Sequence, residues 1–178
     1  MKSPLLILLL LIVIEGNSQL QKNEISFTSN EDAVTKSKSI KGLRKKSDLV
    51  IAYRRYTTWN FKEPFDVIVV KQDEVFKGYK FSLPNLLVER VENVDTLKSI
   101  LKLFYDYDLF AMTKTDNWME TCNNSAPGCG DCEEYDFIIM TKDKVKRLYF
   151  YAPEMYVNYC PTVKANERVI GLINRLWK

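Results

Sequence analysis

The residues best suited to chemistry in this sequence are four cysteines, all in its last third: Cys122, Cys129, Cys132 and Cys160. The segment Cys129-Gly130-Asp131-Cys132 has the C-x-x-C spacing of thiol-disulfide oxidoreductases, whose reactive thiol has a lowered pKa. Acidic residues and a strand pattern follow this motif, and acidic neighbours raise a thiol pKa. Redox activity is therefore an alternative interpretation, not the preferred one.

An even number of cysteines in an exported chain indicates two disulfide bonds. Three pairings are compatible with the sequence, and we favour one in which Cys160 joins the cluster at 122–132. Such a long-range bridge contributes about 3–4 kcal/mol in the chain-entropy model. Four thiolates also suffice for zinc, but an oxidising compartment competes for them. We therefore expect no metal and no cofactor.

The complete absence of histidine limits the catalytic chemistry of the chain. It excludes a Ser-His-Asp or Cys-His triad and every metal site that needs imidazole. Paired carboxylates remain, and they can hydrolyse glycosides. Acidic residues are frequent at Asp106, Asp108, Asp116, Glu120, Asp131, Glu133, Glu134 and Asp136. A carboxylate-based hydrolase is thus a second enzymatic alternative, although a solvated acidic loop explains the same pattern.

A stretch of alternating aromatic and basic residues follows the first strand pattern. It runs from Tyr53 to Phe61, and its candidate binding residues are Tyr53, Arg55, Tyr56, Trp59 and Phe61. Exposed Trp and Tyr combine a large apolar area with a polar tip, which suits a protein or glycan partner. The alternative is that these aromatic residues have a structural role, because alternate residues of an edge strand face the core.

The amino end has the pattern of a secretory signal peptide. Lys2 supplies a positive charge, ten apolar residues follow from Leu5 to Ile14, and small residues stand at Gly16 and Ser18. Ten helical residues span about 15 Å, half of a bilayer core. We therefore expect cleavage between Ser18 and Gln19, and a secreted or periplasmic protein with no integral membrane span in the mature chain. A membrane anchor is the alternative.

Charge is distributed unevenly along the chain. Residues 22–63 have a net charge of +5, residues 85–136 of −7 and residues 137–178 of +5. A basic run such as Lys41–Lys46 can bind nucleic acid, but the export signal disfavours that partner. The prediction is no nucleic-acid partner.

Two β-hairpin patterns, seventy residues apart, dominate the rest of the sequence. Strand-like residues 65–70 are followed by a turn and a returning strand to Pro84, and residues 135–140 are followed in the same way by a strand to Pro153. A helix with an apolar face follows each hairpin, at 100–107 and at 169–176. Asn93 or Asp95 can cap the first of these helices. The pattern indicates a tandem ββα repeat.

Two hairpins and two amphipathic helices predict an α+β fold: a two-layer sandwich with an antiparallel sheet of about five strands and two main helices on one face. A strand near 49–56 supplies the fifth member. The predicted organisation is a signal peptide at 1–18, a polar and partly flexible segment at 19–46, and a single disulfide-bonded domain at 47–178. The function that fits best is an exported, soluble, non-catalytic binding module, with the two enzymes above as alternatives and no catalytic residue assigned.

Overall fold

The computed structural model of this chain describes residues 31–57, 59–60, 62–71, 76–83, 85–90, 92–112, 131–155 and 164–177. The elements in chain order are α1 (Glu31–Lys36), α2 (Lys38–Lys45), β1 (Leu49–Thr57), β2 (Phe65–Val70), β3 (Lys77–Ser82), β4 (Leu86–Arg90), α3 (Val94–Asp106), β5 (Glu133–Met140), β6 (Val145–Tyr151) and α4 (Lys164–Leu176). The expected mixed α+β class is confirmed.

The strands form one antiparallel sheet in the order β4-β3-β2-β1-β5-β6. Both predicted hairpins are present, as β2–β3 and β5–β6. The sheet has six strands instead of about five, because β4 was not predicted from the sequence. Its five residues, LLVER, place apolar side chains at successive positions and lack the alternation that marks a half-buried strand.

Strand β1 lies at the centre of this sheet. It pairs with β2 on one side and with β5 on the other, both antiparallel. Because it has a neighbouring strand on each side, it is not the edge strand that the structural interpretation of its aromatic residues assumed. Residues 50–53 are all buried, as expected for a central strand with both faces covered.

Alternate side chains of the central strands enter two different cores. Ile51 of β1 lies in a first core with residues of α3 and α4, whereas Val50 and Ala52 lie in a second core with residues of α1 and α2. Successive side chains of a strand point to opposite faces, so the two cores lie on opposite faces of the sheet. The expected two-layer arrangement is not confirmed, because helical residues pack on both faces.

The two helices predicted to follow the hairpins contribute to the first core. Helix α3 begins after Asn93, whose side chain accepts a hydrogen bond of 2.9 Å from the amide of Asp95, as the sequence predicted. The two helices approach each other closely at Gly171 of α4, where an added Cβ would lie 2.4 Å from a ring carbon of Tyr107.

Residues 31–45 also belong to the packed structure, although the sequence placed them in a polar segment before the domain. Ser37 separates the two short helices and caps α2 through its hydroxyl. Val34 and Ile40 are buried against the sheet. Arg44 donates hydrogen bonds of 3.0–3.1 Å to the carbonyl of Thr141 in the β5–β6 turn. The second face is thus partly covered by α1 and α2.

The tandem ββα repeat is not confirmed. Strand β4 lies between the first hairpin and α3, and no described strand occupies the equivalent place after β6. Strand β3 also lies inside the sheet, whereas β6 lies at its end. Among the described helices, none is long and apolar enough to cross a membrane.

The contact at Gly171 predicts opposite effects for two glycine-to-alanine substitutions. Both Gly171 and Gly42 lie in helices, but a Cβ at Gly42 meets nothing within 4 Å. We expect Gly42→Ala to raise the free energy of unfolding by about 0.5–1 kcal/mol through helix propensity. Gly171→Ala should lower it by about 1–3 kcal/mol through overpacking against Tyr107. Urea denaturation of both variants tests this, and equal effects would contradict the close helix contact.

A buried lysine makes the stability of the sheet dependent on pH. Lys146 of β6 is only 6% exposed, and its Nζ donates a hydrogen bond of 2.8 Å to the carbonyl of Phe110. Burial lowers the pKa of Lys146 to about 8. In the unfolded chain a lysine titrates near pH 10.4. Between these two values the unfolded state therefore holds more protons than the folded state.

The expected consequence is a stability gain at alkaline pH that a Lys146→Met variant lacks. This contribution is fully present above about pH 10.4 and is lost as the pH falls through about 8. The wild type should gain up to about 3 kcal/mol relative to the variant over this window. Phenol titrations affect both proteins equally and cancel in the difference. Urea denaturation of both proteins at several pH values measures the difference in their free energies of unfolding. A difference that does not change with pH would contradict the prediction.

Candidate functional site at the end of the central strand

Charged and phenolic side chains gather where β1 ends and β5 begins. In the antiparallel register of these strands, Arg54 lies opposite Asp136 and Tyr56 opposite Glu134. These four residues alternate with core residues, so they lie on the face of the second core. The intervening positions of both strands project from the first face. The end of the sheet therefore has polar side chains on both sides.

Asp136 is the centre of the cluster on the second face, and it is fully buried. Arg147 of β6 binds both of its carboxylate oxygens through Nε and Nη2, each at 2.6 Å. The Nη2 of Arg54 lies 3.5 Å from the same carboxylate. The guanidinium of Arg54 also stacks 4.2 Å from the ring centre of Tyr56 and 4.3 Å from that of Phe65. Two cations thus flank one buried carboxylate, and two aromatic rings pack against one of these cations.

Two tyrosine hydroxyls complete this cluster. The hydroxyl of Tyr149 donates a hydrogen bond of 2.6 Å to Glu134, and Tyr56 also hydrogen-bonds to Glu134. Burial is the largest cause that raises the pKa of both phenols well above the usual value, and the hydrogen bonds to Glu134 and the negative charges of Glu134 and Asp136 raise it further. The two phenols therefore remain protonated donors throughout the neutral range.

A second polar network lies on the first face. The ring of Tyr135 is buried, with its centroid 5.3 Å from that of Trp177. Its hydroxyl reaches two carboxylates, those of Glu133 and, at 2.8 Å, Glu154. Arg55 forms an ion pair with Glu133. Arg55 and Glu133 are partly exposed, at 41% and 33% of their side chains, so this network is accessible from solvent.

The electrostatics of Glu133 limit what it can do. Burial raises the pKa of its carboxyl, but hydrogen bonds from Arg55 and Tyr135 outweigh burial and lower the pKa below its usual value. Glu133 is therefore ionised at neutral pH. An ionised carboxylate can accept hydrogen bonds or act as a base, but it cannot serve as the general acid that glycoside hydrolysis needs.

The structure separates the candidate binding residues that the sequence grouped together. Tyr53 is buried in the first core, where its ring packs 5.4 Å from Phe104. Tyr56 is half-buried in the cluster around Asp136, Arg55 is paired at the surface, and Trp59 is 78% exposed in the turn after β1. Phe61 lies outside the described residues. Of the candidates that are described, Arg55 and Trp59 are the ones most open to a partner.

Most of the cysteine prediction lies outside the described residues, which include only Cys132. This residue packs at the margin of the first core, just before β5. No described cysteine is a free thiol, and Cys132 is disulfide-bonded. Its partner is not among the described residues, since Cys122, Cys129 and Cys160 all lie outside them. Which cysteines pair stays a prediction.

The acidic residues have separate surroundings. Asp106 pairs with Lys102 at 2.5 Å and Asp108 with Arg168 at 2.7 Å, both at the surface. Asp116 and Glu120 are outside the described residues. In the part of the chain that the structure describes, no three acidic or cysteine side chains converge in a way that could hold a metal ion.

The sequence interpretation missed Arg54, Arg147 and Glu154. A signal for Arg147 was present: in the predicted second hairpin it lies diagonally across from Asp136, and it alternates with residues that face the core. The contribution of Arg54 had no comparable signal, because its pairing with β5 joins positions more than eighty residues apart in the chain.

No protein-family model matches this chain, and no curated protein matches it significantly in sequence.

The buried ion pair at Asp136 predicts a large loss of stability when its charge is removed. Asp136→Asn leaves Arg147 and Arg54 without a carboxylate, and breaking a buried pair typically costs about 3–5 kcal/mol. Glu89→Gln is the matched control, because it breaks the exposed Lys77–Glu89 pair and should cost under about 1 kcal/mol. Chemical denaturation measures both, and similar small losses would show that the buried pair is not important for stability.

Proposed function

We propose that this chain is an exported, non-catalytic binding module that contacts its partner through the end of β1. The contact surface, called here the β1-end surface, consists of Arg55, Trp59, Glu133 and Glu154. The observation that supports it most is the exposure of Trp59, at 78%. Large aromatic side chains are costly to leave in water, and they frequently supply much of the energy of binding surfaces.

The exposed polar residues at the end of β1 favour a partner with both hydrogen-bond donors and acceptors. Arg55 presents N–H donors and Glu133 presents acceptor oxygens, and the two fix each other through their ion pair. The hydroxyl of Tyr135 lies within hydrogen-bond distance of both Glu133 and Glu154, and it can donate to either carboxylate. An exposed aromatic ring, together with preorganised polar groups on the same end of the sheet, suits a glycan or an extended peptide of another protein.

The expected consequence is that the partner's affinity depends on Trp59 more than on exposed apolar residues elsewhere. The mature chain is screened on a glycan array and against a displayed peptide library, and the best ligand is measured by calorimetry. Trp59→Ala should weaken its binding at least about tenfold. Leu83→Ala, a change at another exposed apolar residue, should leave it unchanged.

Stability separates a lost contact from a damaged fold in this experiment. Because Trp59 is exposed, its replacement should change the free energy of unfolding by less than about 0.5 kcal/mol. Equal affinities of the wild type and Trp59→Ala would exclude the β1-end surface as the contact surface.

Export and disulfide pairing belong to the same proposal. We infer cleavage between Ser18 and Gln19, and two disulfides in which Cys160 joins the 122–132 cluster. The bonded state of Cys132 is compatible with this pairing. Non-reducing peptide mapping of the secreted protein by mass spectrometry identifies the new amino terminus and both bridges together.

The two enzymatic alternatives have weaker support. A carboxylate-based hydrolase is favoured by the two carboxylates at the hydroxyl of Tyr135. Against it, Glu133 is held ionised and Glu154 is exposed, whereas a general acid is typically a buried carboxyl. A thiol-disulfide oxidoreductase would use Cys129 and Cys132. Insulin reduction by the purified chain, lost in Cys132→Ser, would favour this alternative over the binding module.

A further inference from the structure

The outer edge of β4 is the most apolar exposed element in the described part of the chain. Leu86 and Val88 of this strand are 62% and 51% exposed, and Leu83 in the preceding turn is 48% exposed. Strand β4 stands last in the sheet order, and no described strand pairs with its outer side. An edge strand offers unpaired backbone N–H and C=O groups to another strand.

Natural edge strands are normally protected, and β4 has only part of this protection: it is five residues long and ends in two charged residues, whereas its first three residues are apolar. Protection typically comes from charges that face outward, from prolines within the strand or from bulges. The two charges of β4 form ion pairs within the chain: Glu89, whose side chain is 54% exposed, pairs with Lys77, and Arg90 pairs with Asp66 and Glu92. The opposite edge differs, because none of the seven residues of β6 is exposed.

We infer that the β4 edge binds the β4 edge of a second copy of this chain, in antiparallel register centred on Leu87. In this register Leu86 of each copy lies opposite Val88 of the other copy, and the two Leu87 residues lie opposite each other. Cross-strand pairs of apolar side chains stabilise antiparallel strands. The strand sequence is thus complementary to itself.

Charge is also compatible with this register. Glu89 lies opposite Asn85 of the other copy, so no two like charges face each other. Centring the pairing on Val88 instead would place Leu86 opposite Arg90 and Leu87 opposite Glu89, which loses the apolar pairs. The Leu87 register is therefore the favoured one, and it joins the two sheets into one continuous antiparallel sheet.

The dimer surface is separate from the β1-end surface, because β3 and β2 lie between β4 and β1 in the sheet. The inference therefore does not depend on the proposed function. Pairing of two five-residue edges buries little area, so the dimer is weak and its population rises with protein concentration. A single charge introduced at the edge should be enough to prevent it.

Sedimentation of the mature chain over a range of concentrations tests the inference. The wild type should shift from monomer to dimer, whereas Leu86→Lys and Val88→Glu should each raise the dimer dissociation constant at least about tenfold. Asn60→Lys adds one charge at an exposed site away from β4 and should dimerise like the wild type. Circular dichroism should be the same for all four proteins.

Mixing the two edge variants tests the register itself. In the Leu87 register the introduced lysine of one variant faces the introduced glutamate of the other, so an equimolar mixture should recover association that neither variant shows alone. Failure of the mixture to associate would overturn the register. A wild type that stays monomeric would overturn the inference as a whole.

Hydrogen exchange of β4 identifies the occupant of the edge. Slower amide exchange in residues 86–90 at high concentration supports the second copy. Protection that is the same at every concentration would instead assign the edge to a segment of the same chain. If the wild type stays monomeric and the β4 amides are unprotected from exchange at every concentration, self-association is overturned. The edge would then be available to a different protein.

Discussion

The fold depends on the double pairing of β1. This strand hydrogen-bonds to β2 on one side and to β5 on the other, and its alternate side chains enter a separate core on each face. Helices α3 and α4 contribute to one core, and α1 and α2 to the other. Neither core is complete without β1, because Ile51 belongs to one and Val50 to the other. A strand in this position tolerates no change of register, since a shift of one residue would exchange its two faces.

The polar end of the sheet follows from the same strand. Beyond Tyr53, Arg54 and Tyr56 of β1 lie opposite the acidic residues Asp136 and Glu134 of β5. The carboxylate of Asp136 is buried, so it must be paired, and Arg147 provides a bidentate partner. This network fixes the backbone at the end of β1, directly before the turn that presents Trp59.

Local patterns in the sequence predicted the elements that depend on neighbours along the chain. Both hairpins and the helices α3 and α4 have clear alternation or an apolar face, and Asn93 has the expected capping role. Strand β4 was missed because its residues do not alternate. The packing of α2 was missed because its buried residue Ile40 stands among many polar ones. The surroundings of Tyr53 and Arg54 depend on the pairing with β5, which joins distant parts of the chain and leaves no local signal.

The separation between β1 and β5 has a consequence for how the chain is made. Until residues 133–140 have left the ribosome, β2 can pair with one side of β1, but the strand that covers the other side is not yet available. The half-made chain then presents one side of the buried segment Val50–Tyr53 of β1, a state prone to misassembly. Pairings between such distant segments also form slowly. Completion of the sheet therefore has to wait for β5, the last strand to reach β1.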